Sequence, residues 1–140
     1  MASKADFTQD EWKALQKGVT GAGVLVSVSD RDFSDSFGEA SALAKALAAH
    51  RASGSELVRE LATTRGTGFG ITASPQEVEA GTLDALRAST ATLSAKAPDE
   101  SDAYRQLVLD VADAVAEAKS GISPDETAAL ERIKEALGSA

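Results

Sequence analysis

Residues 12–28 read WKALQKGVTGAGVLVSV, the longest nearly uncharged apolar run in the chain, and how this run folds decides the architecture. Trp12, Leu15, Val19, Ala22 and Val26 recur at helical spacing, while Val24, Leu25 and Val28 add apolar side chains elsewhere around the axis. That distribution suits a helix buried on more than one side. Gly18, Gly21 and Gly23 oppose it, since each costs about 1 kcal/mol against alanine in a helix interior. They fit only if they let neighbouring backbones approach closely. The β-branched residues of 24–28 leave a buried strand open there, but a run of this length behind a good N-terminal cap exceeds normal strand dimensions. The run therefore predicts a central helix against which later amphipathic helices close.

Immediately before the run, Thr8-x-x-Glu11 forms a capping box, with Phe7 and Trp12 at the spacing of a hydrophobic staple. Trp12 is expected to be buried against the last two helices. After Val28 the polar break SDRDFSDS leads into a second helix, from about Phe33 or Ser34 to Ala52, whose apolar face is carried by Phe37, Leu43 or Ala40, Ala44 and Leu47. Ser55 caps a short helix through Leu57, Val58 and Leu61 that stops near Arg65. Ser74-Pro75-Gln76-Glu77 opens a fourth helix, with Val78, Leu83, Leu86 and Leu93 inward, lasting to about Lys96. Pro98 breaks it. A fifth helix with Tyr104, Val108, Val111 and Val115 inward ends near Ser120-Gly121. Ser123-Pro124-Asp125-Glu126 then opens a last one, burying Ala129, Leu130, Ile133 and Leu137, with Gly138 at the C-terminal cap position.

Composition agrees with that reading. Alanine makes up about a fifth of the 140 residues and aromatics only 4%, which favours closely packed helices over a sandwich or barrel. The expected fold is all-α, a compact bundle of about six helices in one domain spanning residues 1–140. With no cysteine there is no disulfide framework and no thiolate metal site. A net charge of −8, with 14 scattered Lys and Arg, disfavours nucleic acid as a partner. The N-terminus lacks the apolar core of a signal peptide and the 12–28 run is short for a bilayer, so the expected setting is soluble and cytoplasmic, with no membrane partner.

The stretch AVAEAKSGISPDETAALERIKEALG, residues 114–138, resembles the closing helix-turn-helix of tellurite-resistance TerB-like proteins. Ile122, Ser123, Glu126, Leu130, Ile133 and Leu137 carry the resemblance: a hydrophobic residue, a capping Ser, a Glu, then Leu and Ile at core spacing. Lys119 and Ser120 stand where the family has Asp-Gly, so the acidic turn that prompts metal proposals for the family is absent. The resemblance implies an all-α bundle and a link to stress or metal response; it assigns no activity.

Candidate chemistry is sparse. Gly66-Thr67-Gly68-Phe69-Gly70 has the glycines of a phosphate loop but lacks its Gly-Lys-Ser/Thr, and no βαβ context surrounds it, so it reads as a connection. Asp110, Asp113 and Glu117 recur at three and four residues along one helix face and are the candidate metal ligands, for Mg or Ca. The competing reading of that row is a solvated face. Asp30, Asp32 and Asp35 begin like a calcium loop without its glycine and terminal glutamate, and suit helix capping better. His50, the single histidine, excludes an HExxH zinc site and leaves any Ser-His-Asp triad dependent on it alone. The expected function is a non-enzymatic protein-interaction or stress-response module without a cofactor, its partner another protein or a second copy. The alternatives are a divalent-cation-binding protein and an enzyme with a small-molecule pocket.

Overall fold

The computed structural model describes residues 4–29, 36–63, 74–117 and 124–138. A 3-10 turn at Lys4–Asp6 precedes six α-helices: α1 (Gln9–Ser29), α2 (Ser36–His50), α3 (Glu56–Leu61), α4 (Pro75–Lys96), α5 (Ser101–Glu117) and α6 (Pro124–Gly138). A second 3-10 turn, Pro98–Glu100, joins α4 to α5. Among the described residues there is no strand, and the 24–28 segment that left one open is the end of α1. The fold is the all-α bundle its periodicity predicts.

Helix α1 touches each of the other five. Its start is fixed as the capping box requires: the Thr8 amide donates to Glu11 Oε1 at 2.8 Å, and the Glu11 amide donates to Thr8 Oγ1 at 3.1 Å. Leu15, Val19, Ala22, Leu25 and Val26 are buried along it. Burying such side chains contributes about 1.5–3 kcal/mol for each large one, which is why the apolar run ends in the middle of the molecule.

The glycines explain how α1 tolerates neighbours on so many sides. A Cβ on Gly18 would meet Leu86 Cδ2 of α4 at 2.9 Å and come still nearer to Tyr104 Oη of α5. A Cβ on Gly21 would lie 3.2 Å from Thr82 Cβ and Cγ2, with Thr82 Oγ1 nearer still. The pairings of Gly21 with Thr82, Gly18 with Leu86 and Glu11 with Lys96 make α4 antiparallel to α1. A Cβ on Gly23 would meet Leu43, Val111 and Val115 at 3.1–3.4 Å, so α2 and α5 close over the far end of the helix. The vacancy at Gly18 also admits the one fully buried tyrosine, whose Tyr104 hydroxyl donates to the Leu15 carbonyl at 2.9 Å. Burial pushes that phenol well above its ordinary range, and the neighbouring Ser89 hydroxyl offsets part of the effect.

The remaining helices follow their caps. Ser55 Oγ accepts from the Val58 amide and Ser74 Oγ from the Glu77 amide, both at 3.2 Å. Val78, Leu86 and Leu93 of α4 and Tyr104, Val108, Val111 and Val115 of α5 are buried as expected, as are Ala129, Leu130, Ile133 and Leu137 of α6. Arg132 reaches Glu79 at 2.9 Å, tying α6 to α4, and Arg105 Nε donates to the Leu137 carbonyl at 3.0 Å, satisfying the end of α6 from α5.

Several boundaries differ from the sequence reading. Helix α2 stops at His50, not Ala52, because the Arg51 and Ser53 amides fold back to the carbonyls of Ala48 and His50 three residues earlier. Its inward face is Leu43, Ala46, Leu47 and His50, and Ala44 is exposed. Helix α3 ends at Leu61, short of Arg65: Thr63 donates through both its amide and its hydroxyl to the Glu60 carbonyl, closing the last turn. Gly138 is the last helical residue, one position inside its expected place. Leu83 is half-buried, and Thr82, Ser89 and Thr90 join the α4 interior. The glycine loop of 65–73, the Asp30, Asp32 and Asp35 group, the end of the fifth helix and the Ser123 cap lie outside the described residues.

Candidate functional site

The N-terminal end of α1 carries a surface cleft. The chain enters it through the Lys4–Asp6 turn, closed by the Phe7 amide donating to the Lys4 carbonyl at 3.2 Å. This turn folds Phe7 onto Trp12, the two rings tilted by 38° with centroids 6.2 Å apart, and the staple implied by their spacing is formed. Trp12 is buried, 5% exposed, and the ring it packs on is Phe7. The turn is held from outside by the Lys4 amide donating to Glu60 Oε2 of α3 at 2.7 Å. Lys96, at the end of α4, pairs with Glu11 Oε1 at 2.5 Å and places its ammonium 5.9 Å from the centre of the Phe7 ring. That ammonium is the main reason the Glu11 carboxyl is held below the usual carboxylate range, aided by the Thr8 amide.

Between the turn and the outer flank of α1 lies a cleft of about 350 Å³, open to solvent on one side and lined by Lys4, Phe7, Thr8, Gln9, Trp12, Lys13 and Gln16. Thr8, Gln9, Trp12, Lys13 and Gln16 fall on one face of α1 by helical spacing. Lys4 Nζ stands 5.9 Å over the Trp12 ring. Lys13 is exposed and makes no ion pair among the described residues. The lining thus holds two ammonium groups, a hydroxyl and two amides beside the Phe7 and Trp12 rings, with no carboxylate and no histidine. The lining offers no evident general base.

The acidic row on α5 is organised differently from a ligand set. Asp110 Oδ1 accepts from Gln106 Nε2 at 2.7 Å, and its Oδ2 lies 2.9 Å from His50 Nε2 of α2. Both oxygens are therefore engaged. Asp113 is exposed; partial burial raises its carboxyl above the ordinary value, Lys134 opposes this, and Glu117 and Asp110 add to it. Among the described residues, no three or more His, Cys, Asp or Glu side chains are grouped to hold a metal ion. His50 serves as a strut between α2 and α5, and among the described residues it has no hydroxyl partner. The Asp-His pair resembles two thirds of a triad without its nucleophile.

Sequence reasoning anticipated the Phe7–Trp12 staple but passed over the cleft beside it, and Lys4 and Lys13 were not singled out. The available signal was two lysines flanking an aromatic pair in a chain where Asp and Glu outnumber Lys and Arg 22 to 14. Compared with known protein families, with characterised proteins and with solved structures, the chain matches none.

Proposed function

We propose that the chain is a non-enzymatic helical module, working in the cytoplasm, whose business is to bind another protein. The observation that carries this reading is the cleft of Lys4, Phe7, Thr8, Gln9, Trp12, Lys13 and Gln16: preformed, aromatic-floored, polar-rimmed and without an acid-base pair. Rigid aromatic side chains are enriched at the anchoring points of protein interfaces. A stress-response setting rests on the TerB-like resemblance of residues 114–138, and the burial of Leu130, Ile133 and Leu137 in α6 is compatible with it.

Site-directed photocrosslinking tests the reading. A photoreactive residue in place of Lys13, in cells that make the protein, is expected to give a discrete protein adduct. The same residue in place of Lys134, exposed on α6, is expected to give none. Equal labelling from both positions, or none from Lys13, would remove the cleft as the working surface.

A further inference from the structure

The charge of the cleft says what kind of segment it takes. We infer that its occupant is a short acidic peptide segment of a partner protein with one large apolar side chain; this rests on the proposed protein-binding role of the cleft. The whole chain carries a net charge of −8, yet the lining of this cleft contains Lys4 and Lys13 and no carboxylate. Of the two acids in the first turn of α1, Glu11 is paired with Lys96, and neither Glu11 nor Asp10 lines the cleft. Neither lysine is spent in an ion pair among the described residues; Lys4 rests its ammonium on the Trp12 ring. A carboxylate arriving between them gains two cations at once, while a basic segment would meet them uncompensated.

The shape selects a segment of chain over an enclosed small molecule. From Gln9 to Gln16 the flank of α1 runs roughly 10 Å, at about 1.5 Å per residue, the length of about three extended residues or two helical turns. Small-ligand pockets bury most of their guest, and this one is open along a side. The apolar part of the guest is restricted to one residue, because Phe7 and Trp12 are 8% and 5% exposed and leave little apolar surface. The aliphatic stems of Lys4 and Lys13 extend that floor, as lysine stems commonly do at the margin of apolar surface. The Gln9 amide, exposed beside them, is placed to bond the guest's main chain.

The test lets the protein choose. A library of random twelve-residue peptides displayed on phage is panned against the wild-type chain and against Lys13→Glu, a change at an exposed position. The expected outcome is enrichment by the wild type of peptides with net negative charge and one Leu, Phe or Trp, with Lys13→Glu failing to enrich them. A synthetic copy of the leading peptide should change the emission of Trp12, the chain's one tryptophan, saturably. Lys4→Glu and Lys13→Glu together should weaken it about tenfold, as befits two exposed ion pairs, with the helical circular dichroism unchanged. Enrichment of neutral or basic peptides that still move Trp12 would overturn the acidic assignment and leave the binding role standing. Peptides that bind without sensing Trp12, Lys4 or Lys13 would overturn both. Sedimentation showing that the chain pairs with itself, and that Lys13→Glu makes it monomeric, would make a second copy the occupant and overturn the inference.

Discussion

The two halves of α1 solve one problem in opposite ways. From Gly18 to Val26 the helix is thinned by glycines, and helices from distant parts of the chain come down onto its backbone: Leu86 and Thr82 of α4, Tyr104, Val111 and Val115 of α5, Leu43 of α2. From Gln9 to Gln16 it carries the bulkiest side chain, and what covers Trp12 includes its own local segment, the Lys4–Asp6 turn with Phe7. The glycine half is sealed by sterics and a buried hydrogen bond, the tryptophan half by a staple, one partly exposed ion pair and a cation over a ring. Close approach leaves no room for a guest, whereas local cover leaves a cleft beside it, so the cleft falls at the end with the larger side chains.

The largest expected effect tests whether the tryptophan half is nonetheless core. Replacing a buried aromatic by alanine typically costs about 3–5 kcal/mol, and Trp12→Ala should fall in that range in urea denaturation. A loss under about 1 kcal/mol would show the N-terminal turn to be a detachable cover.

Next in size is the glycine half. Gly18→Ala gains about 1 kcal/mol in helix propensity but forces a methyl against Tyr104 and Leu86, and overpacking of this kind costs about 1–3 kcal/mol. Because the Tyr104 hydroxyl is anchored to a main-chain carbonyl, it has little freedom to retreat. The net expectation is a loss of about 1 kcal/mol, read as a lower urea midpoint. Gly54→Ala, where a Cβ would have nothing within 4 Å, is the control and should stay within about 0.5 kcal/mol of the parent. Should Gly18→Ala stabilise the protein, close approach would not be the reason for that glycine.

What the sequence revealed follows the range of the interactions. The capping boxes, the staple and the helical faces are local patterns, and Thr8, Glu11, Ser55, Ser74, Phe7 and Trp12 were legible for that reason. That glycines on α1 imply close neighbours was also legible; that the neighbours are Tyr104 and Thr82 was not, since pairing across the bundle is invisible to periodicity. Asp110 shows the same limit. Its spacing to Asp113 and Glu117 suggested cation ligands, but the group that takes one of its oxygens is His50, on a helix sixty residues earlier. Its other partner, Gln106, sits four residues before it and was within reach of a local reading. The cleft needs the Lys4–Asp6 turn to fold back, and the Glu60 carboxylate that holds it there comes from α3.

Tyr104 gives the next effect and a pH signature. Tyr104→Phe removes the bond to Leu15 and should cost about 1 kcal/mol at neutral pH. Burial raises the folded-state value of the phenol above its unfolded value of about 10, so the fold prefers the protonated form. Its stabilising contribution is complete below that unfolded value and is lost as pH rises beyond it toward the folded one. Above about pH 10 the parent should therefore lose stability faster than Tyr104→Phe, and the gap between them should close. Parallel alkaline curves would mean that the hydroxyl reaches solvent, and that the glycine half is less tightly sealed than the tryptophan half.

The smallest effect lies outside α1 and sets the sealed centre against the exposed rim. Asp113 on α5 is raised by partial burial and by Glu117 and Asp110, in spite of Lys134. A carboxyl raised in the folded state contributes most below its unfolded value and loses that contribution as pH climbs through the folded one, so at neutral pH the ionised group is a slight liability. Asp113→Asn should then stabilise the protein at pH 7 by about 0.2–0.5 kcal/mol, the scale of like-charge pairs at helical spacing, reduced by the solvent screening of an exposed site. The gain should vanish near pH 3, where the parent carboxyl is protonated too, and should shrink in high salt at neutral pH as screening weakens the repulsion. If the row instead held Mg or Ca, a millimolar addition of either would raise the melting temperature of the parent and not of Asp113→Asn. The expected result is no rise in either protein, because a cation at Asp110 would first have to displace His50 and Gln106. A rise confined to the parent would turn the acidic rim of α5 from a solvated face into a site, and would move the search for function from α1 to the α2–α5 seam.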